Sequence, residues 1–136
     1  MELNTNVKDG VIFPLGDENE KYAQYFIGKS YVAGLVNDPE VAAGVANVSF
    51  EPGCRNNWHK HIDGYQILLV TGGEGWYQEE GEEPRKLTPG DVIVTHEGVK
   101  HWHGATKNSW FSHIAITAGT AEWLEAVNDE EYESLS

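Results

Sequence analysis

Two histidines separated by one residue, followed at a fixed distance by an amide and framed by glycines, set the tightest limit on what this chain can become. The stretch reads Gly53-Cys-Arg-Asn-Asn-Trp58-His59-Lys-His61-Ile-Asp-Gly-Tyr-Gln66 and runs on through Ile67-Leu-Leu-Val-Thr-Gly-Gly73, which is G-x5-H-x-H-x4-Q-x6-G. Side chains along an extended segment alternate between its faces, so His59 and His61 share one face and can bind one metal ion. Gln66 lies beyond Gly64, where the chain can bend and bring an amide oxygen to the same point. A third imidazole follows in Gly90-Asp-Val-Ile-Val-Thr-His96-Glu-Gly98-Val-Lys-His101-Trp-His103. The expected donor set is therefore His59, His61, Gln66 and His101. Three nitrogens and one oxygen with coordination positions left over describe a catalytic site, because structural zinc sites are usually closed tetrahedra. Four neutral donors leave the full charge of a divalent ion on the site, which favours an anion or a developing enolate, alkoxide or cyanide.

The rest of the chain supplies strands. Runs rich in aromatic and β-branched residues, broken by glycine, predict strands over residues 25–36, 44–50, 65–70, 75–78, 91–95, 101–106 and 110–117. Many short strands between glycine-rich turns describe an all-β sandwich or barrel. Residues 1–24 are polar, with Pro14, Gly10 and Gly16, and read as an N-terminal arm carrying one short strand at residues 11–13. The barrel is expected over residues 25–119 and a helical tail over residues 120–136. Thr120 is placed to cap a helical turn with Trp123, Leu124 and Val127 on one side, and Asn128 with Glu131 forms a second capping pair. One or two short C-terminal helices are expected.

Charge narrows the partners. With 9 basic and 22 acidic side chains the formal charge is −13, which repels a phosphate backbone and argues against nucleic acid. No apolar stretch approaches a bilayer span and no leader-like segment opens the chain, so a cytoplasmic protein without a membrane role is expected. A lone Cys54 agrees with a reducing compartment.

The two histidine blocks resemble the two motifs of the cupins, small double-stranded β-helix barrels of jelly-roll type. The first motif matches at Gly53, His59, His61 and Gly73, with Gln66 where a Glu is usual; the second matches at Gly90, Gly98 and His101, with His96 for the usual Pro and Ala105 for the usual Asn. Phe50-Glu-Pro-Gly53, Trp58-His-Lys-His61, Gly75-Trp76, Lys100-His-Trp-His-Gly-Ala105 and His113-Ile-Ala-Ile116 are similar to a bacterial subgroup that includes manganese-dependent hydroxynitrile lyases. That resemblance implies a cupin barrel, a divalent metal, and histidines acting as acid and base at His103 and His113.

The residues give the same two histidines a role independently. His103 follows His101 by two and shares its inner face, and His113 stands in the next strand; an imidazole near neutral pH can take a proton or give one back. Trp76 is expected to wall the substrate pocket. His96 and Arg55 read as loop residues, and Cys54 as a small loop residue. Mn(II) or Fe(II) is the expected metal, with Zn, Ni or Cu open to the same donors. Three readings follow: a metal-dependent carbon–carbon lyase on a small molecule, an oxygen-dependent dioxygenase or oxidoreductase at the same metal, and a non-catalytic small-molecule or metal-binding module. If Gln66 and His113 point inward, Tyr65, Ile67, Leu69, Ile114 and Ile116 lie outside. A strand apolar on both faces is normally covered on both, so a homodimer or larger assembly is expected.

Overall fold

The computed structural model describes residues 11–135 of the chain. Eleven strands follow in order: β1 (Asp17–Glu18), β2 (Phe26–Ile27), β3 (Ser30–Val36), β4 (Gly44–Phe50), β5 (Arg55–Asn56), β6 (His59–Gly73), β7 (Gly75–Glu79), β8 (Arg85–Leu87), β9 (Val92–Thr95), β10 (His101–Ala105) and β11 (Phe111–Trp123). A single 3-10 turn, Ala23–Tyr25, precedes β2, and one helix, α1 (Asp129–Glu133), closes the described chain. The strands form one curled antiparallel sheet in the order β1-β3-β4-β11-β6-β10-β5-β2, with β9 beside β6, β7 beside β10 and β8 beside β7. This is the strand-dominated, jelly-roll architecture expected. Among the described residues no helix is long and apolar enough to cross a membrane.

Strand β6 joins the two ends of the barrel. Its second half pairs with β11 and β9, through Gln66↔Thr117, Gln66↔Thr95 and their neighbours; its first half pairs with the end of β11 and with β10, through His59↔Trp123 and His59↔His101. Between these halves the register slips, from Ala118↔Tyr65 to Thr120↔Ile62. Strand β6 therefore spends one residue more than β11, and a one-residue excess reverses which face each later side chain takes. That reversal is why odd-numbered His59 and His61 and even-numbered Gln66, Leu68 and Val70 can all point inward. Asp63 sits at the slip with φ of 57°, its N–H held by Glu97 Oε2 at 2.6 Å. A Cβ on neighbouring Gly64 would collide with the Ala118 carbonyl oxygen, so only glycine fits the crossing.

Inward side chains beyond the slip make the main core, in which Phe50, Leu68, Leu87, Ile93 and Phe111 are almost fully buried. Each such side chain contributes about 1.5–3 kcal/mol by leaving water. A second cluster joins Trp76, Trp102 and Val127 to Tyr132 of α1. Asn128 caps that helix, accepting from the N–H groups of Glu130 and Glu131.

Three expectations need correction. Residues 11–13 form a turn and bend instead of a strand, and residues 1–10 of the expected arm lie outside the described residues. Thr120 caps no helix: β11 continues to Trp123 because the first half of β6 offers it a partner, and the helix begins only after Asn128. Arg55 is buried in β5, where it pairs with Asp129, donates to the Val127 carbonyl at 3.3 Å and lies 4.1 Å from the Tyr132 ring centre, holding α1 to the barrel. On the outer face Tyr65, Val92 and Val94 remain 39%, 54% and 47% exposed, with Ile67, Leu69 and Ile116 half-buried beside them.

Candidate metal centre and cavity

The pairing of His59 with His101 across β6 and β10, together with the two-residue step to His61, gathers three imidazoles at one end of the barrel. One ring nitrogen from each lies within 4.8 Å of the others, and all three rings are buried. Ring centres are 4.2 Å apart for His59 and His101 and 5.2 Å for each with His61. His59 Nδ1 donates to the Asn57 carbonyl at 2.8 Å and His101 Nδ1 to the Val99 carbonyl at 2.9 Å, in each case the residue two before it. Those bonds fix the tautomer, leaving the Nε2 lone pairs free, as a metal-binding imidazole requires.

Whether a cation suits this set can be judged from what the donors otherwise touch. His101 Nε2, both ring nitrogens of His61 and Gln66 Oε1 are buried and have no protein hydrogen-bond partner. Buried polar atoms are rarely left so, and several orphaned lone pairs in one spot fit a shared positive ion. Burial, with the neighbouring imidazoles, holds His59 well below its ordinary 6.5 and His101 down at about 4. His61 is lowered too, by burial first, with the Gln66 side chain opposing it. All three are therefore neutral near pH 7, the form that ligates.

His103 and His113 stand next to this set. Their ring centres are 5.1 Å apart, and His103 is 6.0 Å from His101. Asn56 accepts from the His103 backbone N–H at 2.9 Å, so its amide nitrogen faces the imidazole, 3.2 Å from Nε2. His113 is fully buried against Phe50 and Phe111, with no hydrogen-bond partner at either ring nitrogen. Burial holds His113 down at about 3 and, with the surrounding imidazoles, puts His103 well below the ordinary histidine range.

His59, Gln66, His103 and His113 all line one cavity of about 370 Å³. Its other walls are mostly apolar, including Val32, Val48, Phe50, Ala115 and Trp123, and none of its described lining residues is Asp, Glu, Lys or Arg. Trp76 is not among them, contrary to expectation. Tyr77, the partner of His103 in the β7–β10 register, points into the core, so Trp76 takes the outer face, where it packs with Trp102 and under Lys86. The aromatic wall comes instead from Tyr22, Phe26 and Trp123. Trp123, expected on a helical turn with Leu124 and Val127, lies instead at the end of β11; its even spacing from His113 is the signal in the sequence that places it on the cavity side. His96 is exposed in the turn after β9, while Cys54 is core, its thiol pushed up by burial to about 12.

Comparison with known proteins agrees with the fold. The family model described as Cupin domain matches residues 46–117. The chain is 42% identical over 116 residues to an (R)-mandelonitrile lyase of Granulicella tundricola, covering 81% of this chain and 87% of that one. A crystal structure of a cupin-like protein from Thermotoga maritima superposes with a TM-score of 0.83 at 42% identity, over 90% of this chain and 94% of the other. A predicted oxalate decarboxylase from the same organism shares the fold at a TM-score of 0.64 and 24% identity, over 70% and 84% of the two chains.

Proposed function

The chain belongs to the cupin domain family, and from that premise we propose that it is a metal-dependent lyase that cleaves a carbon–carbon bond in a small hydroxynitrile. The observation that carries this reading is the pair of buried neutral imidazoles, His103 and His113, lining the same cavity as the donors His59 and Gln66. The similarity to an (R)-mandelonitrile lyase supports the choice of reaction.

His59, His61, His101 and Gln66 would hold the cation, Mn(II) or Fe(II) in preference to Zn, Ni or Cu. When bound, a divalent ion supplies Lewis acidity toward the substrate's hydroxyl oxygen. Within the cavity His113, unpartnered at both nitrogens, accepts the hydroxyl proton. The oxygen's electron pair forms the carbonyl as the carbon–cyanide bond breaks, and cyanide leaves with the bonding pair. The proton then returns from the His103/His113 pair to cyanide, releasing hydrogen cyanide and an aldehyde. Apolar walls exclude water from the exchange. Incubation of the Mn(II)-loaded protein with mandelonitrile tests the proposal: benzaldehyde and cyanide should appear together, and their absence with metal in place removes the lyase reading.

The exposed apolar face of Tyr65, Val92 and Val94 supports a homodimer, in which a second copy covers it. Sedimentation at micromolar concentration should give twice the chain mass. The buried, unpaired Cys54 supports a cytoplasmic location.

A further inference from the structure

Trp123 bridges the donor set and the apolar wall of the cavity. Its indole centre lies 4.6 Å from the His59 ring on one side, and Tyr25 stacks on it at 4.8 Å with the planes only 2° apart. Tyr22 and Phe26 stand around it at 6.2 and 5.9 Å, and all three line the cavity. The stack on Tyr25 and the β11 pairing with His59 hold the indole in place. Whatever binds beside the donors must therefore set the remainder of its bulk within reach of this rigid aromatic group.

We propose that Trp123, with Tyr22 and Phe26, is the specificity-determining wall of the site and selects a substrate carrying a single aromatic ring. This rests on the same site as the lyase reading but adds the residues that choose among its substrates. An aromatic ring gains edge-on contacts with these side chains. A cationic remainder finds no counter-ion, since no acidic side chain lines the described cavity. The volume of about 370 Å³ lies at the small end for ligand sites, which suits one ring and a short substituent.

The test measures binding by the Mn(II)-loaded protein of benzyl alcohol and of 2-propanol, which share a hydroxyl and differ in the ring. Calorimetry should give at least about tenfold tighter binding of benzyl alcohol, and Trp123→Leu should cut that preference about tenfold while Trp123→Phe keeps most of it. Tyr22→Ser does not touch His59; it should lower the preference about threefold with Mn(II) content unchanged, which separates a lost wall from a lost cation. Equal affinities in the wild type, or a preference unmoved in both Trp123→Leu and Tyr22→Ser, overturns the inference. Neither probe is a hydroxynitrile, so the two readings fail separately. Mandelonitrile turnover without ring preference sinks the aromatic wall alone; ring preference without turnover sinks the lyase reading alone.

Discussion

The Gln66 side-chain amide donates to the Thr117 hydroxyl at 3.0 Å, leaving its carbonyl oxygen buried beside His61 without a protein partner. Thr117 thereby decides which end of the amide meets the imidazoles. Replacing Gln66 by Ala should weaken divalent-ion binding by about tenfold, the scale on which losing a supporting ligand is felt. Gln66→Glu should strengthen it, because a carboxylate offsets part of the ion's charge. Competition with a chelator reads both; unchanged affinity in Gln66→Ala would remove this residue from the donor set.

His113 differs from the donors in touching none of them within ring-contact range, although it lines their cavity. The variant His113→Asn should retain its metal and lose turnover by about 10² to 10⁴, most of it in kcat. Metal analysis alongside kinetics distinguishes this from His61→Ala, which should lose both metal and turnover. Wild-type kcat in His113→Asn would assign proton transfer elsewhere.

Acid should unfold the metal-free protein through its buried histidines. In the fold His113 titrates at about 3 and His101 at about 4, both below the ordinary 6.5. As pH falls below about 6.5 the unfolded chain takes up protons that the folded one refuses. Stability is therefore complete above that pH and declines toward pH 3, by about 1.4 kcal/mol per unit for each histidine held neutral. His59 and His103, also lowered, act in the same direction. Melting midpoints should fall steadily between pH 7 and 4; a flat profile would contradict the burial seen here.

Gly64→Ala tests the slip in β6. The added methyl meets the Ala118 carbonyl across the ladder, with backbone on both sides and no flexible tip to yield. A loss of about 3 kcal/mol or more is expected, together with weaker metal binding as His61 loses its alignment with Gln66. Equilibrium denaturation that matches the wild type would show that the strand can change register without penalty.

The grouping of His59, His61 and His101 was legible in the sequence because H-x-H needs only an extended backbone, whereas bringing Gln66 to the same face takes the slip at Asp63 that the register with β11 reveals. What escaped depended on partners distant in the chain. Residues 120–127 carry helix-compatible side chains, and only pairing with His59–Ile62 draws the first four into a strand. Whether Trp76 or Tyr77 faces inward cannot be read locally, because adjacent residues on a strand differ only in phase, which the register with His103 and Gly104 decides. Arg55 looked like a loop residue because its anchor, Asp129, is 74 positions away.

Bending β6 at Asp63 also separates two kinds of inheritance within one strand. Residues 67–73 answer to the hydrophobic interior, whereas residues 59–61 answer mainly to the imidazole cluster. With the joint between them kept, the imidazoles of the short segment can be exchanged without disturbing the inward phase of Leu68 and Val70, so scaffold and cation site need not change together.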